Sequence, residues 1–204
     1  YLGQTEPCYR DADGRLRALI AVSALQEPGT YPLAVALTSR GVTTDLELWL
    51  EVTPGRYGYQ VITPTASLSG LMDPELMQSE LDYLAPWREV RMAERLWDPP
   101  LAFPLAVVVP VSADYGDRRS YGGLVDGSHS GVDYRAWTGL AVLAPADGVV
   151  LMAEPLVARG NAVLIDHGWG LVTGYWHLSR IDVQVGQRVQ RGDTIAAAGN
   201  TGLS

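Results

Sequence analysis

Apolar runs in this chain are short, and glycine and proline turns cut them again and again. The 204 residues include 22 Gly and 13 Pro. That punctuation constrains the fold more than any other feature, because it leaves room for strands and little for long helices. Thr44–Val52 shows the pattern most cleanly. Leu46, Leu48, Leu50 and Val52 alternate with Glu47, Trp49 and Glu51, the period of two that marks a half-buried strand. Leu16–Val22, Leu33–Leu37 and Tyr57–Ile62 are further strand runs, separated by Pro28-Gly29-Thr30-Tyr31-Pro32, Ser39-Arg40-Gly41 and Pro54-Gly55. Strands spaced by roughly 8–12 residues predict a small antiparallel β sandwich, immunoglobulin-like, over residues 1–70, an accessory or packing domain.

Residues 71–100 change character. Asp73-Pro74-Glu75 combines an N-cap, a proline at the first helical position and an early acid, so a helix starts there. Met77, Leu81 and Leu84 fall on one face. Pro86 cannot continue a helix without losing a backbone bond, which predicts a second helix from Pro86 to about Trp97. Asp98-Pro99-Pro100 ends this short helical connector. Residues 101–204 return to strands: Ala106–Val111, Val132–Tyr134, Gly148–Met152, Ala162–Asp166, Leu171–His177 and Thr194–Ala198. Gly168-Trp169-Gly170 and Asp147-Gly148 read as hairpin connections. The fold class is therefore mainly β, with a second, C-terminal antiparallel β domain over 101–204.

Charge and composition remove several function classes. A net charge of −8 offers no general attraction for nucleic acid or an anionic membrane. No stretch of about 18 apolar residues exists to span a bilayer; the longest apolar run, Leu101–Val111, is broken by Pro104 and Pro110. The start, Tyr1-Leu2-Gly3-Gln4-Thr5-Glu6, has no basic region followed by an apolar core. Either the protein stays in the cytosol or the chain begins after a removed signal. Cys8 is the single cysteine, which excludes an internal disulfide and a cysteine zinc cluster.

Three histidines carry the candidate chemistry: His129, His167 and His177. In Ser128-His129-Ser130-Gly131-Val132-Asp133, an imidazole and a carboxylate four residues apart suit zinc. A straight strand separates such Cα atoms by roughly 13 Å, whereas one metal wants each donor about 2 Å away. The chain must bend, and Gly131 can supply the bend. On spacing alone, the pair reads more readily as a surface histidine with a nearby acid than as a metal site. His177, at the end of an apolar strand, reads alone as a satisfied core histidine. His167, in Ile165-Asp166-His167-Gly168, is expected to fix its turn by a hydrogen bond rather than to bind metal.

The order of these pieces adds more. Ser128-His129-Ser130-Gly131-Val132-Asp133-Tyr134, Ala144-Pro145-Ala146-Asp147-Gly148-Val149-Val150, Val163-Leu164-Ile165-Asp166-His167-Gly168 and Tyr175-Trp176-His177-Leu178-Ser179 closely resemble the lysostaphin/LytM-type zinc endopeptidases. So does the tail from Val185-Gly186-Gln187-Arg188-Val189 through Arg191-Gly192-Asp193-Thr194-Ile195 to Gly199-Asn200-Thr201-Gly202. The likeness runs from about Val111 to Ser204.

The resemblance implies a compact antiparallel β peptidase domain with one Zn²⁺, cutting peptide stems or cross-links of bacterial peptidoglycan. His129 and Asp133 match its first two zinc ligands. His177 matches its catalytic histidine, which orients the attacking water and stabilises the developing oxyanion. Tyr115-Gly116-Asp117-Arg118 looks like a variant of the segment before the first ligand, with Tyr in place of Phe. The family's third zinc ligand comes from a His-x-His motif expected just past Gly-Asn-Thr-Gly, where this chain ends at Ser204. With two ligands, the chain itself is expected to bind zinc weakly and to be inactive. A peptidoglycan substrate implies a place outside the cytoplasmic membrane, in the periplasm, the cell envelope or the medium, reached by a signal sequence absent from this chain. Arg118 and Arg119 could meet stem-peptide carboxylates or form a solvated charge pair.

Two other readings stay open at this level. The glycine-turn segments also resemble lipoyl- or biotinyl-type carriers, but a carrier needs a lysine for attachment. All 15 basic residues are arginine, so only a structural adaptor survives. An inactive peptidase-like scaffold, activating another wall hydrolase, is the second alternative.

Overall fold

The computed structural model describes residues 5–62, 73–121 and 124–203. It is mainly β, with a single α-helix among the described residues. The chain divides into two compact units: Tyr1–Ile62 with Ala113–Asp133, and Thr63–Ser112 with Tyr134–Ser204.

The first unit contains β1 (Tyr9–Arg10) paired with β2 (Leu16–Arg17), and a long ribbon of β3 (Gly29–Ser39) and β4 (Val42–Val52). The ribbon turns on Arg40 and Gly41, with φ of 51° and 77°, the two-residue turn whose twist matches paired strands. Its register puts Tyr31, Leu33 and Val35 opposite Leu50, Leu48 and Leu46, so the period of two seen in the sequence becomes one apolar face. β5 (Tyr59–Ile62) runs parallel to β7 (Arg118–Tyr121), and β7 pairs antiparallel with β8 (Leu124–Ser128). The first run, Leu16–Val22, pairs over only two of its residues.

The second unit opens with α1 (Pro74–Arg88). Asp73 caps it, its Oδ1 accepting the Glu75 N–H at 2.9 Å. Short strands β6 (Val111–Ala113) and β9 (Asp133–Tyr134) lie at the boundaries between the units. The rest comprises β10 (Ala141–Leu143), β11 (Gly148–Leu156), β12 (Gly160–Asp166), β13 (Val172–Leu178), β14 (Arg180–Ile181), β15 (Arg188–Val189) and β16 (Thr194–Ala197). They form two antiparallel sheets, ordered β13-β12-β11-β15 and β10-β16-β14. β12 is covered on both faces. Val163 and Ile165 enter one core with Val150, Ile195 and Leu178, while Ala162 and Leu164 meet Leu84 of α1 and Met152. No helix of the described residues is long and apolar enough to cross a membrane.

Three sequence expectations need correction. No second helix follows Pro86; α1 instead runs through Pro86 to Arg88. The missing N–H costs little there, since Pro86 lies in the exposed last turn rather than mid-helix. The next residues bond elsewhere: Met92 O accepts the Trp169 N–H (2.7 Å), and Leu96 N–H donates to His167 O (2.8 Å). Trp169 Nε1–H reaches Ala93 O at 2.9 Å, so this stretch straps the Gly168-Trp169-Gly170 hairpin turn. Asp147-Gly148 is not a hairpin, because β10 pairs with β16 while β11 pairs with β12 and β15. Ala106–Pro110 is not strand: Leu105 makes an isolated bridge to Val142, Ala106 N–H donates to Ala141 O, and the strand itself begins at Val111.

Candidate metal and catalytic residues

His129 follows the end of β8 and is 9% exposed. Its backbone is clamped by the preceding loop: its N–H donates to Asp117 O (2.8 Å), and its carbonyl accepts the Gly116 N–H (2.8 Å). Nδ1 lies 3.0 Å from Asp114 O. A carbonyl oxygen only accepts, so Nδ1 carries a proton, and in the neutral ring Nε2 is the nitrogen with the lone pair. Nε2 points at Asp133, 3.1 Å from Oδ1. The chain bends at Gly131 between them, and a Cβ there would stand 4.0 Å from His129 Nε2.

The other carboxylate oxygen of Asp133 accepts from Arg119 at 2.7 Å. Arg119 Nε donates to Gln60 Oε1 (3.3 Å), and Gln60 Nε2 donates to Asp117 Oδ2 (3.3 Å). Arg119 is therefore no free solvated charge; it orients a candidate ligand. Arg118 lies over the Tyr57 ring at 5.5 Å. Sequence spacing could not assign these partners, which come from β5 and β7. Gly116, in Tyr115-Gly116-Asp117-Arg118, has φ 86° and would place a Cβ 2.2 Å from the Tyr57 ring, so this cradle requires glycine.

A lone pair on Nε2 facing a carboxylate oxygen is two acceptors in contact, an arrangement that a cation or a proton between them makes favourable. One imidazole held by a carbonyl on its far nitrogen, and one carboxylate held by an arginine, are the donors and outer partners typical of a zinc site. The pair fits two ligands of such a site. Among the described residues, no group of three His, Cys, Asp or Glu side chains comes together.

His177 belongs to the second unit. Register shifts between β12 and β13, so that Trp176 and His177 stand opposite Ala162 alone. This bulge puts His177 at φ 59°, a left-handed conformation costing a non-glycine residue about 1–2 kcal/mol. Bulges of this kind re-aim a side chain. His177 N–H donates to Arg159 O (2.9 Å), and Nδ1 donates to Thr201 O (2.8 Å). Nε2 is thereby left as the nitrogen with a lone pair, and the ring is partly exposed.

His167 is fully buried. Nδ1 donates to Asp147 O (2.7 Å), leaving Nε2 to accept from Thr173 Oγ1 (2.8 Å), which in turn accepts from the Tyr175 hydroxyl (2.9 Å). Both ring nitrogens are committed to structure. Burial holds the His167 pKa below its ordinary value and pushes the Tyr175 hydroxyl up to about 12.

Comparison with known proteins agrees with this architecture. Residues 127–204 match the model of Peptidase family M23. An uncharacterized metalloprotease of Haemophilus influenzae is 39% identical over 106 residues, covering 50% of this chain and 22% of that protein. The peptidoglycan DD-endopeptidase ShyA of Vibrio cholerae is 45% identical over 74 residues, covering 36% and 17%. The matched part thus spans about a fifth of these relatives. A Pseudomonas aeruginosa structure named as a peptidase M23 superposes with a TM-score of 0.71 at 24% identity, over 99% of this chain and 75% of that one, a likeness of fold. The segment that carries His129, Asp133 and His177 is thus the part of this chain that resembles Peptidase family M23.

Proposed function

We propose that this protein is a zinc metalloendopeptidase that hydrolyses peptide bonds in bacterial peptidoglycan, in stems or cross-links, outside the cytoplasmic membrane. The observation that carries the proposal is the convergence of His129 Nε2 and Asp133 Oδ1 at 3.1 Å, with the far side of each group already anchored. Relatives named as metalloproteases and peptidoglycan DD-endopeptidases support the substrate class.

His129 and Asp133 would hold the metal. When bound, zinc supplies Lewis acidity that polarises the scissile carbonyl and makes a nearby water more acidic. The chain's own residues prepare this chemistry. The Asp114 carbonyl fixes the His129 tautomer, and Arg119 keeps the Asp133 carboxylate turned toward the imidazole. His177 handles the proton. With Nδ1 committed to Thr201, Nε2 accepts a proton from water and, once protonated, donates to the oxygen that gains charge in the tetrahedral transition state.

Zinc analysis of the full-length protein and its two histidine variants, at equal free zinc, tests the assignment. His129→Ala is expected to lose the bound ion and His177→Ala to keep it. A zinc-free His177→Ala protein would show that the role of His177 is misassigned. Digestion of purified peptidoglycan, with the new termini identified by mass spectrometry, reads out the bond cut.

A further inference from the structure

One buried carboxylate takes no part in the chemistry above. Glu80 sits in the middle of the inward face of α1, between Met77 and Leu84, with a side chain 7% exposed. Its Oε1 accepts the Ala158 N–H at 2.6 Å, and its Oε2 accepts from the Arg159 guanidinium at 2.7 Å. Both oxygens therefore hold the turn joining β11 to β12.

That turn is what His177 leans on. The Arg159 carbonyl accepts the His177 N–H at 2.9 Å, and the Ala158 carbonyl accepts the Leu203 N–H at 2.7 Å. The Arg159 guanidinium also lies over the Trp176 ring, 5.6 Å from its centre. Gly160 packs so tightly on Thr201 that a Cβ would stand 2.2 Å from Thr201 Oγ1. Thr201 O is the acceptor for His177 Nδ1 (2.8 Å). A single carboxylate on α1 thus braces both supports of His177: the carbonyl that stabilises its left-handed backbone, and the segment that selects its tautomer. A strained residue persists only where its surroundings over-determine it.

We infer that Glu80 is a positioning residue for His177, a brace supplied by a helix that precedes the matched M23 segment. Its catalytic consequence rests on the reading of His177 given above. Loss of the carboxylate strands a buried N–H and a partly buried guanidinium, so the turn relaxes and the imidazole loses its fixed orientation.

The chain has three histidines, so selective labelling of histidine with ¹⁵N yields three rings and three amides to follow. In Glu80→Ala, the His177 ring is expected to lose its Nδ1–H signature and its amide to exchange at least ~10-fold faster, as local opening becomes easier. The His129 and His167 rings should stay in place. Glu80→Gln keeps the Ala158 bond but loses the charged pair with Arg159, so it should show a smaller change in the same direction, and it serves as the folded comparison if Glu80→Ala unfolds. An unchanged His177 ring and amide in either variant relative to wild type, or equal shifts of all three rings, overturns the inference.

Turnover of the full-length protein on peptidoglycan separates this inference from the functional reading. Glu80→Ala should lower kcat roughly 10-fold or more with KM little changed, as misplacement of a reacting group does. If His177→Ala retains full turnover while the Glu80 variants still move its ring in wild-type background, the brace stands and the catalytic role of His177 falls.

Discussion

The two candidate histidines are housed in opposite ways. His129 is held by the short loop Asp114–Asp117 and completes its pair with a carboxylate four residues later, half open to solvent at 48% exposure. His177 is held by groups from distant parts of its unit: Arg159, Thr201 and, behind them, Glu80. The first arrangement is local and rests on a bend that glycine allows. The second is built by tertiary packing and holds a backbone conformation that histidine disfavours. On this reading, the geometry of the candidate ligand pair should survive rearrangement of the helix, whereas the geometry of the candidate proton-handling group should not.

That contrast can be broken or sharpened by experiment. The largest effect is expected from His177→Ala in the full-length protein, which should reduce turnover on peptidoglycan by about 10²–10³-fold, the usual cost of losing a transition-state donor, with bound zinc unchanged by elemental analysis. A variant that loses zinc as well would mean that the two housings are not separate in function.

Leu84→Ala is next. It empties the contact between α1 and the outer face of β12 and should destabilise the second unit by about 2–5 kcal/mol, measured as a shift of the urea midpoint. The His129 ring signal should be unaffected before the unfolding transition, because its supports lie in the other unit; an early shift would contradict the local character of that site.

Arg119→Ala acts on the local side of the comparison. Removing the partner of Asp133 Oδ2 should weaken zinc binding roughly 10-fold, as loss of an outer-shell partner does, read by competitive zinc titration. No change in affinity would show that the arginine contributes no orientation.

The smallest effect is a pH dependence. His167 is buried in its neutral form, and burial lowers its pKa below that of the unfolded chain, near the ordinary 6.5. The unfolded state then binds the extra proton first, so this contribution to stability is complete above about pH 6.5 and is lost as pH falls below it. The urea midpoint of wild type should therefore fall more between pH 7.5 and 5.5 than that of His167→Gln. Equal falls would mean that His167 does not titrate in the transition.

Legibility in the sequence followed the range of the interactions. The start of α1 was readable because Asp73, Pro74 and Glu75 act within one turn. Its end was not, because the backbone groups of Met92, Ala93 and Leu96 find their partners at residues 167–169. The turn at Arg40-Gly41 and the hairpin at Gly168-Trp169-Gly170 were readable for the same local reason. Asp147-Gly148 misled because its dipeptide carries turn chemistry without saying which strand pairs next; here its carbonyl anchors His167 and its carboxylate accepts the Arg191 N–H. Glu80 carried one weak signal, a charge between Met77 and Leu84 on the apolar face of a helix, and Arg119 was legible as a carboxylate-binding charge but not as the partner of Asp133.

The sequence by itself determined that this chain is mainly β, where the helix α1 begins and which two side chains could share a cation, because those properties arise from backbone preferences and from groups a few residues apart. Tertiary structure alone decided which tautomer each histidine adopts, that Arg119 serves Asp133, and that a carboxylate on α1 braces the bulge of His177. Those outcomes depend on hydrogen-bond partners dozens of residues away, and such partners meet only when packing of the apolar faces brings their strands and helix together.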